Sequence, residues 1–325
     1  MILRPLCLAL LFLFTACTAV QSPAPRAALT APRPSEAEII TLPDARRIAV
    51  YHFGDPQGAP LFFFHGWPSD GSTGVLLDAA ARKLHIRVIA PDRPGIGRSD
   101  PQPNRTLADW PADVRAIAAH FGLRSFAVLG VSGGGPYALA TARAMPGQVT
   151  SATVVSGVPP LDDPHDIDTL PSIYRRLLRG QNSHPETMRM EFRATRPLLR
   201  HLMPDVFLQL ALLKLPAPDR AVLADPHTVR VVFGGMRRSW AACSDGVYDD
   251  AAIYARAWNF SPSQIRTPVA FWHGALDSNF PPELARKLAA KVPGARIHIV
   301  PGEGHYSLPV KYAETILATV KRPAR

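Results

Sequence analysis

The chain has 325 residues, 47% of them hydrophobic and 19% charged, enough to bury one large core or two modest ones and unlike a disordered or collagenous composition. Its formal net charge of +10 is spread among acidic residues. No Lys/Arg block is interleaved with aromatics, which argues against nucleic acid as a partner.

Met1 to Ala16 carries Arg4 and then the apolar run Leu6 to Phe14. That run is too short to cross a bilayer and has the size of a signal-peptide core, so residues 1–16 are read as removed rather than folded. Phe14-Thr15-Ala16-Cys17 resembles the lipobox of bacterial lipoproteins, whose cysteine takes a diacylglyceryl group, although Phe stands where Leu is usual. The alternative is an ordinary secretory signal cut near Ala19 or Ala24. A lipid on Cys17 implies a membrane anchor in the bacterial cell envelope, periplasmic or outer-membrane associated, at about 0.8 kcal/mol per buried CH2; the alternative cut gives a soluble exported protein. Residues 17–36, with Pro23, Pro25, Pro32 and Pro34 among small residues, cannot pack a core and read as a tether. Cys7 leaves with the signal and Cys17 is modified, so Cys243 is alone and no intramolecular disulfide is expected.

From residue 37 the chain alternates strand-like and helix-like segments. Ile39 to Leu42 and Arg47 to Phe53 predict two short strands around Pro43-Asp44. Leu61 to Phe64, Ile86 to Ala90, Phe126 to Leu129 and Ala152 to Val155 are compact apolar runs bounded by Gly, Pro or Asp. With helical patterns between them, such runs predict buried parallel strands covered by helices on both faces. Residues 159–263 are rich in Leu, Arg and Pro without a clear strand, and predict a helical insertion between a first core part (37–158) and a second (264–325). Val269 to Trp272 and Arg296 to Val300 resume the strand pattern. There is no internal repeat.

In an open parallel sheet, ligands bind beyond the carboxyl ends of the strands. The loops there carry His65-Gly66-Trp67-Pro68, Asp92 to Ser99, Ser132, Asp277 and His305. Gly130-Val131-Ser132-Gly133-Gly134 fits G-x-S-x-G, a sharp strand-to-helix turn that exposes the serine, with Gly130 and Gly134 leaving room for neighbouring backbone. Taken alone it also fits a plain Gly-rich turn, while the phosphate-loop patterns are absent. A serine needs a base, and the base needs a third group to fix its tautomer. Asp277 and His305, each just past a predicted strand, follow Ser132 in the order this arrangement requires.

HGWP (65–68), DRPGIGRS (92–99), GVSGG (130–134), PVAFWHGALD (268–277) and PGEGHYSL (301–308) together make the chain resemble the α/β-hydrolase superfamily, in its esterase, lipase and serine-haloperoxidase group. The resemblance covers Glu38 to Val320. It implies a mostly parallel eight-stranded sheet with helices on both faces and a helical cap inserted after strand 6. It also implies an oxyanion hole made by the backbone N–H groups of Trp67 and Gly133, with the Trp67 indole either walling the pocket or packing in the core. Relatives that cleave carbon–halogen bonds or epoxides carry aspartate at the elbow, so Ser132 implies acyl transfer. The expected activity is a carboxylic-ester hydrolase working through Ser132, His305 and Asp277 on a small-molecule ester, with no metal or organic cofactor. Carbon–carbon bond hydrolases, lactonases, amidases and perhydrolases share the constellation, and a membrane-tethered, non-catalytic binding protein is a further alternative.

Other polar residues compete for roles. Asp92 reads as shaping its turn, and Asp70 and His273 have no evident partner. Glu303 either tunes His305 or faces solvent. Cap arginines Arg175, Arg176, Arg179, Arg189, Arg193, Arg196 and Arg200 could favour acidic substrates or lipid head groups, but read first as a solvated helix face. A neutral His305 as base places the fall in rate at roughly pH 6 to 7.

Overall fold

A computed structural model describes residues 37–201, 214–241 and 245–320. The signal segment, the tether with Cys17, and Cys243 lie outside the described residues. Eight strands form one sheet in the order β1-β2-β4-β3-β5-β6-β7-β8. They are β1 (Glu38–Thr41), β2 (Arg47–Gly54), β3 (Ala59–Phe64), β4 (Ile86–Pro91), β5 (Phe126–Val131), β6 (Val149–Val155), β7 (Val269–Gly274) and β8 (Arg296–Val300). The β1/β2 and β2/β4 pairs are antiparallel and the rest parallel.

The central strands are continuous apolar runs because both of their faces are covered. In β3, Phe62 and Phe64 enter one core with Tyr137 and Trp110, while Leu61 and Phe63 enter the opposite one with Leu317 and Trp272. Successive residues thus supply two cores, as the two-residue strand period dictates. Edge strand β8 alternates in exposure instead. Strand β6 starts three residues before the apolar run at Ala152, because Val149 and Ser151 are also buried.

Core helices are α1 (Asp78–Lys83), α2 (Trp110–His120) and α3 (Gly135–Ala144). Between β6 and β7 the chain forms α4 (Pro164–Asp168), α5 (Ser172–Ser183), α6 (Pro185–His201), α7 (Ala217–Leu223), α8 (Pro226–Ser239) and α9 (Gly246–Tyr254), the cap. Then follow α10 (Pro282–Ala290), α11 (Ser307–Lys311) and α12 (Ala313–Ala318). Among the described residues no helix is long and apolar enough to cross a membrane.

Candidate active site

Strand β5 ends at Val131, a 3-10 turn spans Ser132–Gly134, and α3 begins at Gly135. Ser132 has φ 51°, a left-handed conformation that costs a non-glycine residue roughly 1 to 3 kcal/mol and persists only where surrounding structure enforces it. The enforcement is crowding. A Cβ on Gly130 would enter the Gly134 carbonyl, and one on Gly134 would enter the Phe64 carbonyl. Both glycines let backbone touch backbone, and the turn lifts Ser132 to the sheet's carboxyl edge.

Asp277 follows β7 and His305 follows β8, so the sheet brings to Ser132 two residues that lie far away in sequence. His305 Nδ1 is 2.8 Å from Asp277 Oδ2, and His305 Nε2 is 3.0 Å from Ser132 Oγ. Burial alone would raise the Asp277 pKa, but the His305 charge and the hydrogen bonds it accepts hold it below the ordinary carboxylate value. An ionised carboxylate only accepts, so Nδ1 carries the ring proton and Nε2 is left to accept from the Ser132 hydroxyl. Asp277 Oδ1 also accepts from the Asn279 and Phe280 amides at 2.9 and 3.0 Å. Burial pulls the His305 pKa down, yet Asp277 more than offsets this and lifts it above the ordinary 6.5.

The loop after β3 brings Trp67 beside the elbow: a Cβ on Gly133 would lie 2.8 Å from the Trp67 Cβ. The two residues expected to donate their amides are therefore adjacent. Arg93, fully buried, donates to the His65 and Gly66 carbonyls at 2.5 and 2.9 Å and pairs with Asp250 at 2.7 Å. His65 Nε2 accepts from the Arg93 amide at 3.2 Å, which leaves Nδ1 to donate to the Gly66 carbonyl at 2.9 Å. Burial, followed by the Arg93 charge, drives the His65 pKa well below 6.5 and keeps the ring neutral. Arg105 and the Tyr137 hydroxyl reach the other Asp250 oxygen at 2.6 and 2.7 Å. This buried network joins α9 of the cap to the loop carrying Trp67.

Next to Ser132 lies a cavity of about 30 Å³, lined by Trp67, Leu161, Tyr174, Leu178, Tyr254 and Phe280 among others. Trp67 walls it and packs on Phe192 and Tyr254, with its Nε1 donating to the Val247 carbonyl at 2.8 Å. Both sequence readings of that indole therefore apply.

Asp92 accepts from the Gly71 and Arg98 amides at 2.7 and 3.1 Å and shapes its turn as expected. Asp70 and His273 do have partners, contrary to expectation. Arg238 of α8 lies 2.7 Å from Asp70, and His273 Nε2 is 2.8 Å from the Phe280 carbonyl and 3.3 Å from Asp277. Glu303 is buried and pairs with Lys311 at 3.1 Å, so neither of its expected roles holds. The cap arginines have partners within the cap: Arg176 with Glu191, Arg179 with Asp168, Arg189 and Arg193 with Asp245, and Arg175 and Arg196 with main-chain carbonyls. The Arg200 side chain lies outside the described residues.

Sequence reasoning missed Asp250, Arg93, Tyr254 and Asp219. Only Arg93 sat inside a motif. The Tyr254 hydroxyl donates to the Gly133 carbonyl at 2.9 Å. Asp219 of α7, fully buried, accepts from the amides of His305, Tyr306 and Ser307 at 3.0, 3.0 and 2.8 Å.

Comparison with known proteins agrees with this architecture. Over 126 residues the chain is 39% identical to a non-heme chloroperoxidase of Streptomyces lividans, an alignment covering 38% of this chain and 45% of that protein. The chain thus spans less than half the length of that curated relative. A longer alignment, 26% identical over 268 residues, links it to a bifunctional esterase/perhydrolase of Acinetobacter calcoaceticus and covers 80% of this chain and 90% of the relative. In fold it resembles a thermophilic esterase from Thermogutta terrifontis, with TM-score 0.64, 20% identity, and coverage of 87% of this chain and 96% of that one. A model of the alpha/beta hydrolase fold matches residues 59–312, well over half of the sequence, and the chain therefore belongs to that family.

Proposed function

We propose that the protein is a serine hydrolase of carboxylic esters, with Ser132 as nucleophile, His305 as general base and Asp277 as its orienting carboxylate. The observation that carries this reading is the unbroken hydrogen-bond line from Asp277 through His305 to the strained Ser132. Ser132 Oγ bonds to the ester carbonyl carbon while its proton passes to His305 Nε2, and the resulting oxyanion faces the Trp67 and Gly133 amides. His305 returns the proton to the leaving alcohol as the carbon–oxygen bond breaks. Water then attacks the acyl-enzyme, its proton following the same route, and the acid leaves with Ser132 restored. Each oxyanion donor contributes on the order of 3 kcal/mol to such a transition state.

The small, apolar lining of the cavity favours an ester whose acyl group is short and uncharged. The pairing of Arg176, Arg179, Arg189 and Arg193 with acidic residues of the cap supports the reading of these arginines as a helix face rather than an anion site. The signal pattern and Cys17 support export and lipid anchoring in the cell envelope, tested by lipid labelling of the parent and of Cys17→Ser. For activity, the test is hydrolysis of short p-nitrophenyl esters by protein lacking residues 1–17, beside Ser132→Ala. Turnover by the parent alone is expected, and equal rates in both would overturn the assignment.

A further inference from the structure

The proposed base stands on a short, buried loop at the edge of the sheet, directly after terminal strand β8. Main-chain atoms of this loop are held from the cap. Three consecutive amides, those of His305, Tyr306 and Ser307, converge on the single carboxylate of Asp219, which is fully buried. The Gly304 amide is satisfied separately, by Ser307 Oγ at 2.8 Å. A Cβ on Gly304 would enter Asp219 Oδ2, so the glycine is required for the carboxylate to approach. Three amide dipoles aimed at one anion fix where the backbone of residue 305 lies, because a carboxylate offers acceptor lone pairs in set directions.

We propose that Asp219 is a positioning residue: it holds His305 in line with Ser132, so that the triad is complete only while α7 is docked on the core. This rests on the reading of His305 as the base. The core also holds this loop, through the Leu276 amide, which donates to the Glu303 carbonyl at 2.9 Å, and through the bond from the His305 ring to Asp277, but neither fixes the amides of residues 305 to 307, which Asp219 alone gathers. The negative charge of Asp219 also favours the imidazolium that forms as Ser132 attacks. Among the described residues, the charged groups facing His305 are Asp277 and Asp219. His273 reaches it only through Asp277 and has its pKa lowered by burial; Tyr306 is pushed up to about 12 and stays neutral; Glu303 is paired with Lys311.

The test is the rate at which a fluorophosphonate labels Ser132, measured against pH, since this requires no knowledge of the natural ester. The Ser132 Oγ–P bond forms, fluoride leaves, and the proton passes through His305. Asp219→Asn keeps the shape but sets an NH2 group against an amide and removes the charge. Labelling is expected to slow about ten- to a hundred-fold from misplacement of the base, and its pH midpoint to fall by about half a unit from loss of the nearby charge. Gly304→Ala displaces the carboxylate but leaves its charge, so labelling should slow with less movement of the midpoint. A lower melting temperature with the parental rate and midpoint in Asp219→Asn would mark a merely structural contact and overturn the proposal. If Asp219→Asn does not fold, a parental labelling rate in Gly304→Ala overturns it instead. A parent that labels no better than Ser132→Ala would defeat the functional reading itself, a result separate from either variant outcome.

Discussion

The core and the cap meet at the same site but fix it largely by different means. In the core, each candidate catalytic residue stands at a strand end, placed by the sheet and by close backbone contacts such as Gly134 against Phe64. In the cap, Gly246 of α9 comes equally close to the Gly95 backbone, but the links to the site itself are made differently. Its helices reach across with single charged side chains: Asp219 to the His305 loop, Asp250 to Arg93 and Arg105, and Arg238 to Asp70. Crowding leaves a local signature because it demands glycine at fixed spacing. A charge that reaches over a long sequence separation leaves none.

This contrast can be broken from either side. On the core side, Ser132→Ala should remove turnover by about 10^6-fold with an unchanged melting temperature, measured by ester hydrolysis and calorimetry. On the cap side, Asp250→Ala strands the Arg93 and Arg105 charges, both of whose side chains are nearly inaccessible. It should cost about 3 to 5 kcal/mol in urea unfolding, and a loss below 1 kcal/mol would mean that the network does not hold the cap. Leu178→Ala widens the cavity beside Ser132 and should raise the hexanoate-to-acetate ratio of kcat/KM about ten-fold. An unchanged ratio would place the acyl group elsewhere.

The pH profile sharpens the comparison with a smaller effect. Protonated His305 cannot take the Ser132 proton, so the rate is present above the His305 pKa and lost as pH falls through it. Because Asp277 and Asp219 lift that pKa above 6.5, the acid limb of kcat/KM should lie above the value of an ordinary histidine, at the upper edge of the sequence expectation or beyond. A midpoint under 6.5 would contradict the charge arrangement. At the small end, Arg176→Ala removes an ion pair whose side chains are 47% and 30% exposed. It should change stability by less than about 1 kcal/mol and leave ester hydrolysis unaltered.

The eight-stranded sheet and the meeting of Ser132, Asp277 and His305 were legible in the sequence because apolar runs and glycine-bounded loops are local patterns. The partners of Asp70 and His273 were not: Arg238 lies 168 residues from Asp70, and the Phe280 carbonyl beside His273 is a main-chain atom that no residue type announces. Glu303 was misread because its two-residue spacing from His305 suggested proximity, whereas its carboxylate turns to Lys311. Asp219 and Asp250 were invisible because an acidic residue in an Arg-rich helical stretch reads as part of a solvated face. Only burial reveals it as a counter-charge.

The Arg93–Asp250–Arg105 cluster has a consequence for protein engineering. Caps of hydrolases are attractive modules to exchange, since they line the pocket and carry few motifs. On this core an exchanged cap would have to deliver a carboxylate to the point where Asp250 stands. Without it, two guanidinium groups would remain enclosed with no anion, directly beneath the loop that carries Trp67. A graft chosen for pocket shape alone would misfold at its floor, so selection of donor caps should begin from the position of that one acid.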